Sequence, residues 1–254
     1  MSWDPTTYLG FADHRTRPAA ELLACIDMTS PAHVADLGCG PGNSTALLAA
    51  RWPEADIHGV DSSPEMIERA SRAGLNAAFS VGDIADWSAE APYDVIFSNA
   101  ALHWLDGHDA LLPRLMSQLS KGGVLAVQMP ANFSAPSHVL LEEAVRETGS
   151  KDLIARLRGN PVSPMAEYHR ILAPHAATLD IWETTYLQVL TGNDAVLQWT
   201  SGTALVPFVS ELAGQQRDDF VDAYRGKLAA AYPQRADGTT LFPFTRLFMV
   251  ARCA

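Results

Sequence analysis

The residues best suited to chemistry lie in the first half of the chain. Gly38, Gly40 and Gly42 alternate in "VADLGCGPGNST", just after an apolar run that carries the carboxylate Asp36. Glycine reaches positive φ without steric cost and lets another molecule approach the main chain closely, so the stretch reads as a binding loop. Two more carboxylates follow: Asp61 beside Ser62 in "IHGVDSS", and Asp83 beside Ile84 in "SVGDIADW". Asn99 closes "YDVIFSN". An ionised carboxylate such as Asp61 accepts from both hydroxyls of a ribose better than a neutral group would.

These residues need elements to present them. "HVADL" reads as a short buried strand, and "NSTALLAARW" carries apolar residues at helical spacing. "DIHGV" is a second strand, and "SSPEM" opens a helix, with Ser62 and Glu65 at capping-box spacing and Pro64 in the first turn. "NAAFSV", "YDVIFS" and "GVLAVQM" add three strands, with "DALLPRLMSQL" as an amphipathic helix before the last. Such alternation predicts a parallel sheet with right-handed crossovers over residues 30–130. Residues 131–177 and 191–238 are mostly helix-like, and residues 178–190 and 239–253 suit the last two strands. The expected architecture is a single α/β domain with a Rossmann-like, mostly parallel seven-stranded sheet. Its final strand is antiparallel and its helical insertions form a cap. Ligands of such sheets bind beyond the carboxyl ends of the strands.

Composition narrows the partners. The chain has 254 residues, 18 of them basic and 29 acidic, for a net charge of −11. That field disfavours nucleic acid and anionic lipid, so an anionic ligand requires a local cationic pocket. The three cysteines, Cys25, Cys39 and Cys253, show no C-x-x-C spacing. Neither a disulfide framework nor a metal site is indicated, and a reducing cytoplasm is the expected compartment. "SWDPTTYLGFADHR" lacks the basic start and apolar stretch of a signal peptide. No apolar segment approaches the ~20 residues of a membrane span. A monomer is expected.

A dinucleotide fingerprint would place glycine at position 43, where this chain has Asn43. The spacing G-x-G-x-G preceded by Asp36 instead resembles the first motif of the class I S-adenosylmethionine-dependent methyltransferases, and the similarity runs from Val34 to Met129. It implies that the glycine loop accepts the methionine portion and ribose of S-adenosylmethionine. It also implies that Asp83 holds the exocyclic amine of adenine, that Ile84 lies beside the ring, and that Asn99 lies near the sulfonium. "WDPTTYLGFADHRTRPAAELL", "SSPEMI", "LHWL", "GGVLAVQMP" and "DIWETTYLQVL" are similar to a branch of that family that acts on trans-aconitate. The implied reaction is methyl transfer to one carboxylate of trans-aconitate, giving the monomethyl ester and S-adenosylhomocysteine. Another small organic acid, or cofactor binding without catalysis, stays open.

A carboxylate acceptor is already a nucleophile at neutral pH and needs no general base, so no catalytic side chain is expected and placement supplies the acceleration. His103 reads as a hydrogen-bond donor or a packed residue. Arginine suits a carboxylate because its fork engages both oxygens. The candidates are Arg15, Arg17, Arg170 with Tyr168, and Arg246, with Tyr8, Trp104 and Trp199 as apolar walls. The fourth strand ends in "SNAAL", without the Pro-Pro-aromatic run of amino-methylating DNA enzymes, and no cysteine follows a proline. Nucleic acid is not the expected substrate.

Overall fold

The computed structural model describes residues 16–157, 159–202 and 204–254. They group into two units: one takes in residues up to Pro130, Ser163–Thr184 and Arg246–Ala254, the other Ala131–Val162 and Thr185–Thr245.

The strands are β1 (His33–Leu37), β2 (Asp56–Asp61), β3 (Ala78–Val81), β4 (Tyr93–Asn99), β5 (Leu119–Pro130), β6 (Ala176–Thr191) and β7 (Thr239–Cys253). They form a seven-stranded sheet in the order β3-β2-β1-β4-β5-β7-β6. β1 pairs in parallel with β2 and β4, β2 with β3, and β4 with β5, whereas β7 runs antiparallel to β5. This is the mostly parallel sheet with an antiparallel final strand that the sequence predicts. Val34, Ala35 and Leu37 of β1 are buried, which is why that strand reads as an apolar run and not as an alternation. The chain leaves β1 toward β2 on one side and β4 lies on the other. The loops after β1 and β4 therefore flank a topological switch point.

In the first unit the helices are α1 (Thr16–Ala24), α2 (Asn43–Arg51), α3 (Pro64–Ser71) and α4 (His108–Met116). A 3₁₀ turn at Leu102–Trp104 precedes α4. The start of α3 corrects the sequence reading. Its cap is Ser63, whose Oγ accepts the Met66 N–H at 3.3 Å, with Pro64 in the first turn. Asp61 Oδ1 accepts the Ser63 N–H at 2.9 Å, which seats Ser63 as the cap and leaves Ser62 outside the helix.

The remaining helices are α5 (Pro136–Glu147), α6 (Lys151–Ala155), α7 (Met165–Leu172), α8 (Ala195–Ser201), α9 (Val206–Val209) and α10 (Gly214–Ala231). Residues 163–177, read from sequence as part of an insertion, group with the first unit. The reason lies in α7, where the buried Tyr168 hydroxyl lies 2.7 Å from His108 Nδ1 on α4. The second unit has its own core, including Leu141, Val145, Val196, Phe208, Phe220 and Tyr224. Tyr224 donates its hydroxyl hydrogen to the Ser137 carbonyl at 2.8 Å, so its one polar atom is satisfied inside that core. Among the described residues, no helix is long and apolar enough to cross a membrane.

Asn132 continues the sheet's hydrogen bonding with a side chain. Its Nδ2 donates to the Thr245 carbonyl and its Oδ1 accepts the Thr245 N–H, both at 2.7 Å, and the residue is buried. Alanine there would orphan two main-chain groups of β7. Asn132→Ala is expected to lower unfolding free energy by about 2–3 kcal/mol in urea titration. A loss under about 0.5 kcal/mol would show that water replaces the amide.

Candidate active site

An open cleft of about 370 Å³ lies at the switch point, lined in part by Gly38, Gly40, Asp61, Ser62, Asp83 and Ile84. Three successive strand ends contribute these residues, as expected of an open parallel sheet. Ala100, Ala101, Trp104 and Leu105, after β4, line it as well. Of these four, only Trp104 is a residue that sequence reasoning singled out. The two alanines carry no chemistry-bearing group, so only their place in the fold reveals them.

Gly38 and Gly40 are glycines for different reasons. Gly38 has φ +78°, and a Cβ there would fall 2.1 Å from the Ala101 Cβ, so the loops after β1 and β4 touch through the missing side chain. Gly40 has φ +54°, and a Cβ there would meet nothing within 4 Å. Its side-chain position is thus open space at the cleft, and its N–H donates to Asp61 Oδ2 at 2.9 Å. Gly42, with φ 94°, caps α2 and is absent from the cleft wall. Ala100 holds φ 55° without being glycine, a conformation that costs on the order of 1 kcal/mol and concentrates at functional turns.

Asp61 receives a backbone N–H on each oxygen, from Gly40 and from Ser63, and is thereby fixed in orientation. Asp83 accepts the Ala85 N–H on Oδ1 at 2.8 Å, an Asx turn that presents the exposed carboxylate at the cleft. Ile84 is buried beside it. Trp104 is 56% exposed and its ring lies 4.8 Å from that of the buried His103. Cys39, within the glycine loop, is buried, and burial pushes its thiol up, well away from a reactive thiolate.

Other predicted residues lie elsewhere. Asp36 is 0% exposed beneath the loop, where Oδ2 accepts from Ser44 Oγ at 2.8 Å and Thr45 Oγ1 at 2.7 Å. It fastens β1 to the first turn of α2 and does not line the cleft. Asn99 ends β4 one residue before the cleft wall. Among the expected substrate contacts, Tyr168 is packed inside: its oxygen lies near His108 and accepts the Ser163 N–H at 3.2 Å. Trp199 packs against Phe242 and Phe244 in the second unit's core. Arg170 pairs with Glu167 on the surface of α7, and Arg17 with Glu21 one turn along α1. Packing or ion pairing accounts for these four. Arg246 is 5% exposed, with Nη1 donating to Gln128 Oε1 at 3.2 Å. Tyr8 and Arg15 lie outside the described residues. Among the described residues, no three His, Cys, Asp or Glu side chains gather as a metal site.

Burial raises the Asp36 carboxyl from its ordinary 3.8 to about 6, against the pull of the Thr45 and Ser44 hydroxyls. A raised folded-state value means that protonation favours the fold. The stability this group contributes is present below about pH 4 and lost as pH rises through about 6. Asp36→Asn, which cannot ionise, is therefore expected to gain on the order of 3 kcal/mol over the parent between pH 4 and pH 8 in urea unfolding. Parallel pH curves would overturn the assignment. For the loop, Gly40→Ala is expected to cost about 1 kcal/mol of fold stability, from its dihedral alone. Gly38→Ala is expected to cost roughly 2 kcal/mol more, because it also collides with Ala101. Equal losses would show that the loops move apart freely.

Comparison with known proteins agrees with this architecture. A methyltransferase domain family model matches residues 34–123. The YcgJ protein of Bacillus subtilis superposes with a TM-score of 0.61 at 14% identity, covering 95% of this chain and 99% of that one. Phosphoethanolamine N-methyltransferase 2 of Haemonchus contortus, solved with S-adenosyl-L-methionine, gives a TM-score of 0.54 at 16% identity over 93% of this chain and 52% of that one. These two establish the fold. The trans-aconitate 2-methyltransferase of Azoarcus sp. (strain BH72) is 46% identical over 98% of both chains. With the sheet, the loop and the cleft in place, that full-length match settles the lineage: the chain belongs to the trans-aconitate 2-methyltransferase family.

Proposed function

We infer that the chain transfers the methyl group of S-adenosylmethionine to a carboxylate of trans-aconitate, giving the monomethyl ester and S-adenosylhomocysteine. The observation that carries this reading is the cleft itself. It joins a bare glycine loop, an oriented carboxylate at Asp61 and a carboxylate–aliphatic pair at Asp83 and Ile84, in a chain related over its full length to enzymes of that name. The residues fit the cofactor. The open space at Gly40 admits a ligand against the main chain, and Asp61 faces that space already held by two N–H groups. Asp61 would take the ribose hydroxyls, and Asp83 the exocyclic amine with Ile84 against the ring. Asp36 and Gly42 would shape the loop from below, Ser62 would border the ribose, and Asn99 would sit near the reacting end.

When bound, the cofactor supplies a methyl group activated by a positively charged sulfur. The chain's own part is placement. A substrate carboxylate is ionised at neutral pH, so no side chain has to remove a proton. Holding it about 3 Å from the transferred carbon, in line, accounts for most of the acceleration through effective molarity. Arg246, buried on β7, would supply the fork for a substrate carboxylate, and exposed Trp104 an apolar wall. His103, buried beside that ring, packs the turn. The net charge of −11 and the cysteine usage support a cytoplasmic monomer that engages no nucleic acid or membrane.

Purified protein with labelled S-adenosylmethionine and a panel of di- and tricarboxylic acids tests the reading. Transfer to trans-aconitate is expected, and no transfer to any acid would overturn it. Asp61→Ala is expected to weaken S-adenosylmethionine binding roughly 30-fold, about 2 kcal/mol, in calorimetry; an unchanged Kd would remove the ribose assignment. His103→Ala should keep kcat within about tenfold, with a rate level across the neutral range, because no proton leaves the acceptor. A thousandfold loss together with an inflection near ~6.5 that vanishes in the variant would mean an acceptor that needs deprotonation.

A further inference from the structure

One group of buried polar side chains lies outside the cleft wall and is not explained by packing. Asn99 and Gln128 stand side by side in the parallel register of β4 and β5, so their side chains share one face at the carboxyl end of the sheet. On the antiparallel partner β7, Arg246 lies opposite Pro130, two residues beyond Gln128 and hence on that same face. Gln128 is 0% exposed, and its Nε2 has no hydrogen-bond partner among the described residues. Asn99 Oδ1 is likewise buried without one. Buried donors left unmade are costly, and each needs a reason.

The chemistry of the pair fixes which way the amide points. A guanidinium has donors and no acceptor, so the Gln128 oxygen must face Arg246, as it does at 3.2 Å. That contact aims the two Nε2 hydrogens elsewhere. Guanidinium and amide together then present only donors to whatever lies beside them, which is the complement of a carboxylate. The cleft is adjacent: Ala100, part of its wall, donates its N–H to the Gln128 carbonyl at 2.9 Å.

We propose that Gln128 is a specificity-determining residue that, with Arg246, holds a carboxylate of the acid substrate other than the one methylated. The proposal rests on the reading of the chain as an acid methyltransferase. Gln128 orients the guanidinium through Oε1 and gives a hydrogen bond of its own through Nε2.

The test compares the parent with Gln128→Met, which keeps the volume but has no polar atom, and Gln128→Glu, which keeps the shape but offers a carboxylate to Arg246. Substrates are trans-aconitate and three dicarboxylates that each lack a different one of its carboxylates: itaconate, glutaconate and mesaconate. Gln128→Met is expected to raise KM for trans-aconitate roughly 10- to 100-fold, the range for a hydrogen bond to a charged group, with kcat within about threefold. Gln128→Glu should raise it further through like-charge repulsion, and the Kd for S-adenosylmethionine should stay level in both. The parent should also discriminate against at least one dicarboxylate, and Gln128→Met should lose most of that discrimination; a purely structural role would not alter this ratio. If the Met variant does not fold, the near-isosteric Glu variant provides the same comparison. Unchanged KM and unchanged dicarboxylate ratios, with only a lower Tm, would overturn the proposal while the methyltransferase reading stands. A parent that binds S-adenosylmethionine yet neither binds nor methylates any of the four acids would overturn both.

Discussion

The carboxylate of Asp61 takes the N–H of Gly40 on one oxygen and that of Ser63 on the other, each at 2.9 Å. Through those two contacts a single charge at the end of β2 sets the path of the loop after β1 and the first turn of α3. An amide in its place offers one acceptor oxygen and leaves the second N–H unmet. Ser63 becomes the cap, and Ser62 is displaced to the cleft wall. On the other side, Gly38 and Ala101 meet so closely that the loop after β4 can approach only because a Cβ is missing. The cleft is therefore fixed by two short-range constraints, one polar and one steric, that bring together segments from four strand ends.

Those constraints explain what could be read in advance. Strand positions follow from apolar runs, and the glycines and the strand-end carboxylates Asp61 and Asp83 are residue types whose placement has few alternative explanations. Asp36 shows the limit. Its type and position match the other acids, yet β1 is buried on both faces, so its side chain points into protein and meets Ser44 and Thr45. The α3 cap was missed by one residue because adjacent serines are locally equivalent and only the tertiary contact from Asp61 chooses between them. Tyr168 and Trp199 were read as walls because aromatic residues suit a core and a pocket equally well. Arg170 and Arg17 each have a glutamate within one helical turn, a signal that the sequence does contain. Gln128 was invisible, since a glutamine inside an apolar strand acquires meaning only when Arg246 arrives from a strand distant in sequence.

The two sites of buried polarity differ in a way that separates scaffold from recognition. At Asp36 the hydroxyls of Ser44 and Thr45 meet one oxygen, and burial pushes the proton affinity up toward neutrality, which lessens the charge that must be kept in a dry place. At Gln128 and Arg246 that escape is closed, because a guanidinium stays protonated at any accessible pH. A buried fixed cation beside an unmatched amide donor is costly in the empty protein. It becomes favourable when an anion enters, so the local cost is itself a source of selectivity.

Charge gives the same division at larger scale. An acidic protein that binds a polyanion must hold it against its own field, and at an ionic strength near 0.15 M that field is screened over about 8 Å. Distant acidic residues are then largely muted, whereas a cation within hydrogen-bonding distance acts at full strength in the drier interior. The acids that line the cleft, Asp61 and Asp83, instead complement the positive cofactor that the family uses, and each is tied to backbone N–H groups and so held in place. Negative groups at the ends of β2 and β3 and donors on β5 and β7 thus sort a cationic and an anionic reactant to opposite sides of the switch point. For a reaction that needs no proton transfer, that sorting, with the orientation it imposes, is the chemical work left for the chain to do.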